Sequence, residues 1–195
     1  MTETSAHIEG TEEAKRALLV VDVQNDFCEG GSLPVEGGRE VAARISRLVN
    51  SEHSYALVVA SRDWHEPESS NAGHFDEWPA HCVQGTPGAE YAPELDTTGV
   101  DVHVRKGQGV PAYSAFEGVT DDGRALLDVL REQGITAVDV CGIATDHCVR
   151  ASALDAAEAG LTVRLLEGLH AGVAPDTVAS ALEEMRAAGC MEVSP

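Results

Sequence analysis

The sequence predicts a three-layer α/β fold: a mostly parallel central sheet of about six strands with helices on both faces. Three observations carry that expectation. Short apolar runs alternate with longer segments of helical period, which is the mark of βαβ units. The 195 residues suffice for one domain that buries roughly 70% of its unfolded surface. The composition, 43% hydrophobic and 24% charged, is ordinary for a globular chain and too balanced for a disordered one.

Taken in order, the strands are read at ALLVVDV (17–23), YALVVAS (55–61), VDVHVRK (100–106), AVDVCG (137–142), LTVRLLE (161–167) and MEV (191–193). Helices are expected at about 37–51, 121–133, 145–159 and 175–188. The last carries Val178, Leu182 and Met185 at three-and-four spacing, and Pro175-Asp176 suits a first helical turn. Residues 62–99 hold Pro67, Pro79, Pro87, Pro93, several glycines and both tryptophans without a period. They read as a long ordered loop, a kind of segment that is usually functional in a compact domain. The whole is read as an acidic extension (1–16) followed by a single domain (17–195).

Charge and cysteine usage exclude several classes of function. With 13 basic against 33 acidic residues the formal net charge is −20, a surface that repels phosphate backbones and anionic membranes. Neither nucleic acid nor membrane is therefore an expected partner; a small molecule is, for a monomer or a homo-oligomer. Five scattered cysteines, an odd number without a CxxC pair, fit a reducing cytoplasm. The first 16 residues have no apolar core of a signal peptide, and no run approaches the roughly 18 apolar residues of a membrane span.

In open α/β sheets ligands sit beyond the carboxyl ends of the strands, and right-handed crossovers bring those ends to one side. Asp22 ends the first strand, Asp63 and His65 follow the second, Lys106 ends the third and Cys148 follows the fourth. Reactive side chains from four strand ends, distant in sequence, thus converge. Cys148 opens a helix, where backbone N–H groups and the macrodipole favour a thiolate and can receive an oxyanion; a small buried hydrophobe is the alternative. Asp22 and Lys106 form either a plain ion pair or, with Cys148, a base, a cation and a nucleophile. His147 is adjacent to Cys148, and neighbouring helical residues do not face each other, so a Cys-His dyad is rejected while a place on the pocket wall is not. Asp63, His65, His74 and His81 gather a carboxylate and three imidazoles in one loop, a donor set for zinc, iron or manganese unless the histidines are simply exposed. Aromatics are only 4% of the chain, yet Phe27, Trp64, Trp78 and Tyr113 fall near the presumed crevice, where a small flat ring can stack.

Five segments together resemble the nicotinamidase/pyrazinamidase branch of the isochorismatase-like cysteine hydrolases: VVDVQNDFCEGGSLPV, RDWH, WPAHCVQGTPGAE, RKGQGVPAYSAFEG and VCGIATDHCVRASALDAAEAG, in the right order from residue 17 to the C-terminus. The resemblance implies an isochorismatase-like, Rossmann-like sheet and a carboxamide-hydrolysing enzyme that converts nicotinamide to nicotinate and ammonia through a Cys thioester, and accepts pyrazinamide. It implies Asp22 as base and acid, Lys106 as its electrostatic partner and Cys148 as nucleophile. Asp63, His65 and His81, with His74 at a more variable position, are implied as ligands of one divalent metal. It also implies a cis peptide at Ile143-Ala144, oxyanion donors at Ala144 and Cys148, and a substrate pocket of Phe27, Trp78, Tyr113, Ile143 and His147. Two other readings remain: a different amidase or hydrolase of the superfamily, which generally lacks the Asp-His-His set, and a non-catalytic binding protein on the same fold.

Overall fold

In the computed structural model, which describes residues 14–195, a seven-stranded sheet forms the centre of the molecule, in the order β4-β3-β2-β1-β5-β6-β7. The chain runs β1 (Arg16–Val21), α1 (Gly38–Val49), β2 (Leu57–Asp63), α2 (His74–Glu77), β3 (Val102–Lys106) and β4 (Val119–Thr120). It continues through α3 (Leu126–Glu132), β5 (Ala137–Ile143), α4 (Arg150–Glu158), β6 (Thr162–Ala171), α5 (Pro175–Ala187) and β7 (Met191–Val193). Every pairing is parallel except that of the short edge strand β4 with β3. The acidic extension lies outside the described residues up to position 13, and Arg16, at its far end, already belongs to β1.

The sheet is buried on both faces because successive side chains of a strand point to opposite sides. Ala17, Leu19 and Val21 pack with Leu126, Leu130, Ala153 and Met185 of α3, α4 and α5. Leu18 and Val20 pack with Val41, Ala42, Ile45 and Val49 of α1 on the other side. This is why β1 reads as an unbroken apolar run rather than an alternating one. Ile45 is fully buried, and Ile45→Ala would cost about 2–5 kcal/mol.

Two expectations need correction. The seventh strand, β4, escapes a sequence reading because two residues are too few to show a period. The helix expected from 121 begins only at Leu126, since Thr120–Arg124 fold into a turn closed by Thr120 N to Arg124 O at 2.9 Å. None of the described helices is long and apolar enough to cross a membrane.

Candidate active site

The carboxyl ends of β1, β2, β3 and β5 meet at one cleft. Lys106 is its pivot. Its side chain is fully buried, yet its Nζ reaches Asp22 Oδ2 at 2.8 Å and Cys148 Sγ at 3.6 Å, and also contacts Asp63 Oδ1. The parallel register makes Lys106 and Asp63 direct cross-strand neighbours. Burial alone would lower the lysine's pKa, but Asp22, then Asp63 and Cys148, raise it well above the ordinary value, so the group is an ammonium. One ammonium therefore serves two carboxylates and a thiol.

Those carboxylates differ. Asp22 stands just past β1 with φ of 48°, a left-handed conformation uncommon for a non-glycine residue and typical of functional sites. Ser61 donates its hydroxyl to Asp22 Oδ1 at 2.7 Å. Burial outweighs Lys106 and raises the Asp22 pKa. Burial also works to raise Asp63, but Lys106 and then His65 overcome it and hold that carboxyl below the usual range. Burial pushes the Cys148 thiol well up; Lys106 offsets this in part, while Asp22 and Asp63 add to it. The resting site thus has a reluctant thiol beside a carboxylate with raised proton affinity. Cys148 lies in one π-turn (Thr145–Val149) that leads into α4 rather than in a regular first helical turn. The Ile143-Ala144 peptide that precedes it is cis.

The second oxygen of Asp63 faces the histidines. Asp63 Oδ2 lies 3.6 Å from His65 Nε2 and 3.9 Å from His81 Nε2, and His74 Nε2 lies 3.4 Å from His81 Nε2. The loop folds to make this possible: His65 and Val83 form an isolated parallel bridge, and Asn71, Ala72 and Gly73 turn through positive φ to bring back His74. Gly107 O pairs with His65 Nδ1 at 2.9 Å and Pro79 O with His81 Nδ1 at 2.7 Å, which leaves both Nε2 atoms free to point at a common centre. His65 Nε2 is buried without a hydrogen-bond partner among the described residues. Burial, then His65 and His81, lowers the His74 pKa to about 4, and burial also lowers His81. Three imidazoles with converging ligand atoms, an orphaned buried nitrogen and a carboxylate oxygen fit a divalent cation.

The cleft, about 150 Å³, has Cys148, Asp63, His74 and His81 on its floor and walls. Phe27, Trp78, Tyr113 and His147 line it as expected, with Trp78 Nε1 donating to Tyr113 Oη at 3.0 Å. Two expectations fail. Ile143 is fully buried in the α1-side core, as strand alternation from Cys141 requires, and Ala144 takes its place on the wall. Trp64 does not line the cleft; its ring meets the guanidiniums of Arg62 and Arg105 at 4.8 and 4.9 Å instead. Sequence reasoning missed Ser61, a polar residue in an apolar strand, which was a usable signal. It also missed the apolar wall of Leu33, Val35 and Val173, which had none.

The isochorismatase domain model matches residues 16–194. The chain is 52% identical over 177 residues to a nicotinamidase/pyrazinamidase of Mycobacterium tuberculosis, with 89% of this chain and 95% of that protein covered. Among solved structures it resembles PnC1 from L. infantum in complex with nicotinate, at TM-score 0.83 and 35% identity over 93% of each chain. It also resembles the pyrazinamidase of Pyrococcus horikoshii in complex with zinc, at TM-score 0.80 and 42% identity, covering 93% of this chain and 99% of that one. With the sheet order, the Asp22-Lys106-Cys148 cluster and these likenesses in agreement, the chain belongs to the isochorismatase family, on its nicotinamidase/pyrazinamidase branch.

Proposed function

We propose that this chain hydrolyses nicotinamide to nicotinate and ammonia, and accepts pyrazinamide, by covalent catalysis at Cys148. The observation that carries the reading is the buried Lys106 shared by Asp22, Asp63 and Cys148 beside three convergent imidazoles. Asp22 takes the Cys148 proton as the sulfur attacks the carboxamide carbon, and Lys106 holds the anions so formed. The backbone N–H groups of Ala144 and Cys148 receive the oxyanion. Asp22 returns the proton to the amide nitrogen, the C–N bond breaks, ammonia leaves and a nicotinoyl thioester remains. Asp22 then takes a proton from water, whose oxygen attacks the thioester; the C–S bond breaks, Asp22 returns that proton to Cys148 Sγ, and the acid leaves and loses its remaining proton to solvent as nicotinate.

Phe27, Trp78, Tyr113 and His147 hold the ring, so that the carboxamide meets the sulfur in a reactive pose. A divalent cation, when held by Asp63, His65, His74 and His81, supplies an electrophilic anchor for the ring nitrogen; zinc, iron and manganese all suit these donors. Ammonia release by the purified, metal-loaded protein from a panel of amides tests the reading. Nicotinamide and pyrazinamide should be the favoured substrates. Preference for an amide other than these two would move the chain to another hydrolase activity, and no release from any amide would leave a binding protein.

A further inference from the structure

The chain makes a tight turn immediately after β1, and the segment Gln24-Asn25-Asp26 that follows has no part in the chemistry described above. It is nonetheless tied to the metal-binding loop at every residue. Gln24 is fully buried. Its side-chain oxygen accepts from Asp63 N at 2.8 Å, and its side-chain nitrogen donates to Asp63 O and Ala89 O, each at 2.9 Å. Asn25 Nδ2 donates to Pro87 O at 2.7 Å, and Asp26 Oδ2 accepts from Cys82 N, next to His81, at 2.7 Å.

The Gln24 amide pairs with the peptide groups on both sides of the Asp63 Cα, as a neighbouring strand would. It does so where the strand itself has gone. Past Val20 and Ala60 the β1–β2 ladder makes one more bond, Asp22 N to Ser61 O at 3.2 Å, and Asp22 then turns away at positive φ. On its other side Asp63 is held by its pairing with Lys106. The tight turn that places Asp22, closed by Gln24 N to Asp22 O at 2.9 Å, therefore also fixes Asp63. Asp63 has two separate tasks, one oxygen on Lys106 and the other toward the imidazoles. A shift of its backbone would disturb both.

We infer that Gln24 is a positioning residue: its side-chain amide holds Asp63 so that one carboxylate serves Lys106 and the three histidines together. The inference rests on the proposed role of Asp63 as a ligand. Gln24→Glu keeps an acceptor for Asp63 N but loses both donated bonds, and Gln24→Asn keeps the amide but is one carbon too short.

The test compares wild type with both variants by far-UV circular dichroism, by titration with Co(II) alone, by the visible spectrum of the Co(II)-loaded protein, and by kcat and KM for nicotinamide. Folded variants should show an altered Co(II) band, Co(II) affinity weakened at least about tenfold and kcat lowered at least about tenfold, with KM changed less. Folded variants whose band is unchanged and whose affinity and kcat lie within about threefold of wild type would overturn the inference. Loss of the fold in both would overturn it too, by giving Gln24 a purely structural role. Wild type that binds no Co(II), or releases no ammonia from nicotinamide, would instead sink the functional reading on which the inference stands.

Discussion

Two buried clusters of charge sit at opposite ends of the sheet, and they are built to opposite rules. Near the start of the strands, fully buried Asp139 is saturated with donors: Oδ1 accepts from Arg16 and from Arg164 Nε at 3.1 and 2.7 Å, and Oδ2 from Arg164 Nη2 and Tyr55 at 2.5 and 2.8 Å. One carboxylate there faces two guanidiniums. At the far end two carboxylates and a thiol share a single ammonium, and His65 Nε2 has no partner. A saturated cluster resists change, whereas one short of donors has a place for a proton and a cation. Burial by itself does not tell the two apart; the balance of donors and acceptors does.

The largest effects should come from breaking the cluster that lacks donors. Cys148→Ala should remove turnover by several orders of magnitude with the fold and metal content retained. Residual kcat above about a hundredth of wild type would show that the sulfur is not the nucleophile. Cys28, Cys82, Cys141 and Cys190 should each tolerate Ala far better in the same assay. Asp22→Asn should be nearly as damaging, because an amide cannot take the thiol proton, and Lys106→Met should be severe; near-normal kcat in either would remove that residue from the mechanism.

Next in size is the anchoring of the ring nitrogen. Benzamide offers the same carboxamide without that nitrogen and should be hydrolysed at least about a hundredfold less efficiently than nicotinamide, roughly 2.7 kcal/mol of transition-state stabilisation. Comparable kcat/KM for the two would assign the imidazole cluster a different task. At the saturated cluster the expectation reverses. Asp139→Ala should cost about 2 kcal/mol of stability, less than a fully buried pair because both arginines reach solvent, while kcat of the folded enzyme stays near wild type. A large fall in kcat without a fall in Tm would erase the contrast between the two ends.

The smallest effect is a pH dependence of the metal-free protein. The His74 pKa, lowered to about 4 in the folded state by burial and then by His65 and His81, lies below its unfolded value of 6.5. The unfolded chain therefore takes up that proton first as pH falls. The stability this neutral imidazole contributes is complete above about 6.5 and is lost between there and about 4. His81, also lowered, acts in the same direction. Thermal melts of the metal-free protein should fall by a few degrees from pH 7.5 to 5, and less steeply in His74→Gln; parallel slopes in the two proteins would contradict this.

What could be seen in the sequence was local, and what could not depended on neighbours in space. Asp22, Lys106 and Cys148 were legible because each lies where a strand ends, and strand ends in a parallel sheet share a side. Asp63 was legible as a companion of His65, His74 and His81, but its bond to Lys106 was not. That bond follows from β3 lying beside β2 with Asp63 and Lys106 in register, which no spacing along the chain specifies. Ile143 was misplaced for a related reason, since the face a strand residue takes depends on which side the sheet turns. The clamp of Gln24 on Asp63 spans 39 positions and leaves no periodic trace.

The shortage of donors around Lys106 leaves Asp22 able to take the Cys148 proton. The rate at which iodoacetamide alkylates Cys148, read by peptide mapping in wild type and in Asp22→Asn under the same conditions, tests this most directly. Wild type should react at least about tenfold faster, because Asp22 takes the proton as the sulfur attacks and Asn cannot. Equal rates in the two proteins would contradict it.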